Sequence, residues 1–171
     1  MKFEAQSNQT VLVVDSETDF LDWVKQQLKA SGVRVITETN ATNAFKVFCL
    51  EKHDLVLTEL HLRPATGLEL LAKIRGESDN ALVIVMSAFG TTQSVIESMK
   101  LGAFDFLRKE SAPFTMKVVV DSALKAAAEL RAAAPTKLED WLKCCSRPRR
   151  ELCSGLKLCD GPRHEAPQAN T

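Results

Sequence analysis

Four runs of apolar and β-branched residues in this sequence end on, or lead to, a side chain that can do chemistry. Thr10-Val-Leu-Val-Val closes on Asp15, with Ser16 and Glu17 next, and Asp54-Leu-Val-Leu-Thr closes on Glu59. A run from Ala81 closes on Ser87, and a short one from Phe104 leads through Phe106 to Lys109. Continuous runs of this kind read as strands buried on both faces, so each polar residue stands where a strand leaves its sheet. Carboxylates gathered there would repel a phosphate. A flavin or nucleotide site on such a sheet calls for a Ser/Thr/Gly-rich loop after the first strand, and Asp15-Ser16-Glu17-Thr18-Asp19 is of opposite character.

The segments between these runs must hold the strand ends together. Phe20, Leu21, Val24 and Leu28 have helical spacing, opposed by Asp22, Lys25 and Lys29, and the pattern stops at Ser31-Gly32. Val33 to Thr37 is a second short strand, and Thr42 to Glu51 a helix with Phe45, Val47 and Phe48 as its apolar side chains. Leu62 to Gly67 is loop chemistry, after which Leu68, Leu71 and Ile74 resume helical spacing. Thr91-Thr92 suits the cap of a helix carrying Val95, Ile96 and Met99 and ending at Gly102. Strand five is expected over Phe104 to Leu107, and Pro113 suits the first turn of a last helix running to about Arg131.

Five strands alternating with five helices predict an α/β fold, a five-stranded parallel sheet covered on both sides. Right-handed crossovers favour a doubly wound sheet, and the order 2-1-3-4-5, flavodoxin-like, is one of its two common forms. In that order the carboxyl ends of strands 1 and 3 flank the topological switch point. Asp15 and Glu59 therefore fall into one crevice.

Composition sets wide bounds. The chain has 171 residues, 45% hydrophobic and 26% charged, with a formal net charge of zero. That is a soluble globular composition without an electrostatic signature for nucleic acid or anionic membrane. The polar start, Met1 to Thr10, has no secretory h-region, and the run from Ala81 to Phe89 is too short to span a bilayer. Five cysteines, four of them after residue 140, do not make a disulfide framework for the rest of the chain. A reducing, cytoplasmic setting is expected.

The motifs in register resemble one family. Val13-Val14-Asp15-Ser16-Glu17, the stretch Asp54 to Pro64 with Gly67 to Leu71, Val83 to Gly90 and Gly102 to Lys109 are similar to the four strand-end motifs of two-component response-regulator receiver domains, the CheY-like superfamily. The match covers about residues 8 to 131, and Ser87 to Phe106 is most similar to receivers of sigma-54-dependent activators. The resemblance implies a phosphoacceptor at position 59 and Mg²⁺ held by the acids around Asp15 and Glu59. It also implies that Ser87 and Lys109 sense the phosphoryl group, with Phe106 as the aromatic switch. The partners it implies are a histidine kinase, an effector or a second copy, met through the helix 4, strand 5 and helix 5 face, from about Thr92 to Leu124.

The chain departs from that family at the pocket. Glu59 stands where the phosphoacceptor aspartate is expected, Ser16 where the second acid of the pair is, and Glu110 where proline usually follows the lysine. A longer carboxylate is displaced from the in-line position, and fewer anionic ligands hold a hard cation less well. The expectation is an atypical, non-enzymatic receiver with weakened Mg²⁺ binding, a constitutive interaction module in which Glu59 either partly imitates a phosphoryl group by reaching Lys109 and Ser87 or merely fills the pocket and locks one inert conformation. The alternatives are a working Mg²⁺-dependent phosphoacceptor and a truncated receiver of a sigma-54-type activator. A phosphatase of the haloacid dehalogenase type would want Asp-x-Asp after strand 1, where Glu17 stands. His53 and His61 read as loop or surface residues.

Residues 132–171 read as a linker and a mostly disordered tail with too few apolar residues for a core. Cys144, Cys145, Cys153, Cys159 and His164 lack the paired Cys-x-x-Cys form of a zinc site. Arg147, Arg149 and Arg150 form a small basic patch without a helix-turn-helix to present it, so direct nucleic-acid binding is not expected.

Overall fold

A computed structural model of the protein describes residues 9–29 and 32–133. The expectations for the tail and its cysteines lie outside the described residues. Five strands, β1 (Thr10–Val14), β2 (Arg34–Glu38), β3 (Leu55–Glu59), β4 (Leu82–Ser87) and β5 (Asp105–Arg108), alternate with helices α1 (Thr18–Lys29), α2 (Ala41–Leu50), α3 (Gly67–Glu77), α4 (Thr92–Lys100) and α5 (Ala112–Ala133). They form one parallel sheet in the order β2-β1-β3-β4-β5, the doubly wound arrangement expected. Strand five lies one residue later than its sequence pattern suggested. Phe104 donates its N–H to Val83 as the entering residue, and the ladder proper begins at Asp105 opposite Ile84.

Alternation along the strands divides the core in two. Val11, Val13, Leu55, Leu57, Ile84 and Met86 pack toward α1 and α5. Leu12, Val14, Val56, Val83 and Val85 pack toward α2 and α3. Strands buried on both faces have no polar positions, which is why their sequences read as continuous apolar runs. Local chemistry fixes the helix starts. Thr66 and Glu69 close a capping box at α3, and Thr91 with Ser94 does the same at α4; such caps contribute about 1 kcal/mol each. After α4 the chain turns through Gly102 at φ +88°, a conformation that favours glycine.

At the amino ends of the strands, away from the switch point, α5 is pinned by Arg131 to Asp54 at 2.9 Å. Asp54 also accepts the Thr10 N–H at 2.7 Å. The expectation for His53 holds for its place in the chain. His53 belongs to the α2–β3 loop, but it is not a solvated surface residue. Its ring stacks on Phe48, centroids 6.0 Å apart, and both ring nitrogens are buried without a hydrogen-bond partner. Burial lowers its pKa, against the raising influence of the Glu51 backbone and the Glu51 and Asp54 carboxylates, with Arg34 adding to the lowering.

A histidine held neutral in the fold and free to protonate when unfolded makes stability depend on pH. Its folded pKa is depressed, so its contribution is complete above the unfolded value of about 6.5 and is lost as pH falls through the folded one. Urea melts at pH 7.5 and pH 5 should therefore show a larger acid loss for the natural protein than for His53→Gln. Equal losses would mean that His53 is not kept neutral in the fold.

Candidate functional site

Parity along the strands decides which strand-end residues can meet. Asp15 continues the series Val11, Val13, and Glu59 the series Leu55, Leu57; Lys109 follows Leu107. All three belong to the face covered by α1 and α5. Ser87 continues Val83 and Val85 on the opposite face, where Phe106 also packs.

The three residues of the first face form one charged cluster. Lys109 Nζ lies 2.7 Å from Asp15 Oδ2, 2.6 Å from Glu59 Oε2 and 3.3 Å from Glu17 Oε1. Asp15 and Glu59 are buried, whereas Glu17 is exposed. The first two contacts are ion pairs without hydrogen-bond alignment, and only Glu17 receives an aligned bond from the ammonium. The other carboxylate oxygens are held by the backbone. Asp15 Oδ1 accepts the Glu17 N–H at 3.0 Å, and Glu59 Oε1 accepts the His61 N–H at 3.1 Å. Beneath the ammonium, 4.6 Å away, is the Phe20 ring, itself packed on Trp23, so α1 supplies a cation–π platform.

These surroundings set the protonation states. Burial holds the Asp15 pKa above the ordinary carboxylate value, the Glu59 charge adds to the rise, and Lys109 and the Glu17 amide offset only part of it. For Lys109 burial works toward the neutral amine, but the Asp15 and Glu59 carboxylates outweigh it and push the pKa up to about 12. The lysine is a fixed cation at neutral pH.

The β3–α3 turn positions Glu59. Gly67 donates its N–H to Leu60 at 2.9 Å, and a Cβ on Gly67 would collide with the Glu59 carbonyl. On the second face Ser87 is buried and accepts the Phe89 N–H at 3.2 Å. The Phe106 ring lies against Gly90, where a Cβ would come within 2.6 Å of Cζ. Among the described residues no hydrogen bond joins Glu59 to Ser87. The expected reach of Glu59 is met toward Lys109 and not toward Ser87.

The residues present do not fit the Mg²⁺ that the fold family implies. Every oxygen of Asp15 and Glu59 already faces the ammonium or a backbone N–H. Ser16, in place of a second acid, is exposed. Among the described residues no three Asp, Glu, His or Cys side chains are grouped to hold a metal ion. Sequence reasoning missed Phe20, the His61 amide and the Gly90 contact. Phe20 was visible only as a helix-face aromatic, and the other two leave no side-chain signal.

Comparison with known proteins agrees with this fold. The chain is 29% identical over 119 residues to the response regulator PilR of Pseudomonas aeruginosa, a match covering 70% of this chain and 27% of PilR. It is 30% identical over 131 residues to NtrC of Rhizobium meliloti, covering 77% and 26%. The chain spans about a quarter of the length of these regulators, but it covers 93% of sporulation initiation phosphotransferase F of Bacillus subtilis at 26% identity. Among solved structures, a response regulator receiver domain from Clostridium thermocellum matches at TM-score 0.67 and 26% identity, covering 71% of this chain and 98% of that one. TrrA of Thermotoga maritima, solved with Mg²⁺ and BeF, matches at TM-score 0.62 and 26% identity, covering 67% and 98%. The response regulator receiver domain model itself matches residues 11–121, about two thirds of the chain, and on that ground the chain belongs to the response regulator receiver domain family.

Proposed function

We propose that this protein is an atypical receiver of two-component signal transduction, not phosphorylated in the usual way, that acts as a constitutive protein-interaction module in the cytoplasm. The receiver is taken as residues 8–131, with 132–171 as a separate tail. One observation carries the reading: at the phosphoacceptor position stands Glu59, clamped between Lys109 and the His61 amide. Phosphoryl transfer depends almost wholly on holding the nucleophile in line and neutralising the moving charge. Glu59 is one methylene too long for the aspartate position, and its negative charge is already committed to Lys109. With Ser16 in place of an acid, Mg²⁺ binding is weakened as well.

Partners then recognise a fixed surface. The face from Thr92 to Leu124 exposes Ile96 and Met99 on α4 and Phe114 and Val118 on α5. That apolar display suits a kinase, an effector or a second copy of this chain rather than nucleic acid or a membrane. Phe106 links this face to the pocket by its packing on Gly90.

Intact mass after incubation with acetyl phosphate and Mg²⁺ tests the central claim. The natural protein should remain unchanged, and the double variant Glu59→Asp with Ser16→Asp should gain about 80 Da, one phosphoryl group. A gain by the natural protein would make it a working phosphoacceptor and defeat the proposal. The state of the output face is tested separately with Gly90→Ala. The added methyl should displace the Phe106 ring, shift its aromatic NMR signals and destabilise the fold by about 1–3 kcal/mol in urea. Unchanged stability and unchanged Phe106 signals would show that Gly90 does not hold the ring.

A further inference from the structure

We infer that Lys109 is the resident cation of this pocket, occupying with its own ammonium the role a divalent metal would otherwise have between Asp15 and Glu59. The inference rests on the reading of the pocket as disarmed and adds what disarms it from within. Nζ lies within 3.3 Å of Asp15, Glu59 and Glu17, two carboxylates from the loop after β1 and one from the end of β3. The lysine side chain is only 9% exposed, so water does not screen these contacts as it would at the surface. Phe20 supports the ammonium from below. The Glu17 and His61 amides occupy the carboxylate oxygens that do not face it.

A divalent cation entering here would have to bind oxygens already committed to the ammonium, next to a positive charge that cannot be shed at neutral pH. Near-octahedral coordination at about 2.0–2.1 Å needs several free oxygens converging on one point. In the two buried carboxylates one oxygen of each is held by a backbone N–H and the other lies against the ammonium, Asp15 Oδ2 with that ion pair alone. Removing the ammonium leaves the same carboxylates facing one another without compensation. Uncompensated carboxylates draw a hard cation, so loss of the lysine would raise the pocket's affinity for one, although Ser16 still leaves the set an acid short.

Mn²⁺ alone, added to the full chain without any phosphoryl donor, separates the possibilities. In the natural protein at about 1 mM Mn²⁺, within the weak-site range, the amide NMR signals of Glu17 and His61 should stay as sharp as those of residues at the far end of the sheet. Selective broadening of these two would place metal at the pocket and overturn the inference. In Lys109→Met, which keeps the length and removes the charge, Mn²⁺ should bind about tenfold more tightly or better, and Mg²⁺ should raise the melting temperature. A folded variant that binds no better than the natural protein also overturns it. If the variant does not fold, the natural protein decides the matter alone. Broadened amides with no mass gain from acetyl phosphate would defeat the resident cation and leave the disarmed pocket standing. A mass gain defeats the disarmed pocket.

Discussion

One ammonium group organises the carboxyl end of this sheet. Asp15 and Glu59 close β1 and β3 on the same face, where two buried carboxylates at short range repel each other, and Lys109 at 2.7 and 2.6 Å makes their proximity tolerable. A unit charge pair at 4 Å is worth about 4 kcal/mol at the effective dielectric typical of protein charges. Desolvation of three ionised groups takes back much of such a gain, and apolar substitutes often do as well or better. Stability alone therefore does not account for a charged cluster here. The surrounding fold holds it in place, with Phe20 beneath it and backbone amides around it.

The length of the Glu59 side chain decides how its carboxylate sits in that cluster. The side chain is long enough for one oxygen to meet Lys109 while the other bends back to its own chain at the His61 N–H. Each contact restrains the carboxylate, and together they fix it. Gly67 permits the arrangement, since the β3–α3 turn crosses so close to the Glu59 carbonyl that a Cβ there would collide with it. A nucleophile must present a free lone pair along a defined line. This carboxylate is bound at both oxygens before any donor arrives.

Much of this was legible before any coordinates. The continuous apolar runs gave five strands, right-handed crossovers limited their order, and the switch-point rule brought Asp15 and Glu59 together. Period-2 alternation, left unused by the expectation that Glu59 reaches both Lys109 and Ser87, puts Asp15, Glu59 and Lys109 on one face and Ser87 and Phe106 on the other. What stayed hidden depends on contacts without a local pattern. His53 looks polar and loop-bound, yet its nitrogens are buried because Phe48 stacks on the ring and shields it. Gly90 is one glycine among seven until the Phe106 ring is found against it. The fifth strand slips by one residue because Phe104 donates to Val83 before the ladder begins, and hydropathy does not register which amide enters first.

That division between faces bears on what Glu59 can imitate. A phosphoryl group brings about −1.5 to −2 charge and three acceptor oxygens, enough to engage Lys109 on one face and Ser87 on the other at once. Glutamate has two oxygens and a single charge, and here the His61 amide holds the oxygen that Lys109 does not. Ser87 is left to accept the Phe89 N–H of its own loop, and Phe106 to rest on Gly90. The charged half of the pocket and the aromatic half are thus satisfied separately, with no group bridging them among the described residues. A switch needs one ligand that both halves feel. Without it, Phe106 rests on its packing at Gly90 and not on the charge at Glu59, and on the function proposed above the output face would keep one setting.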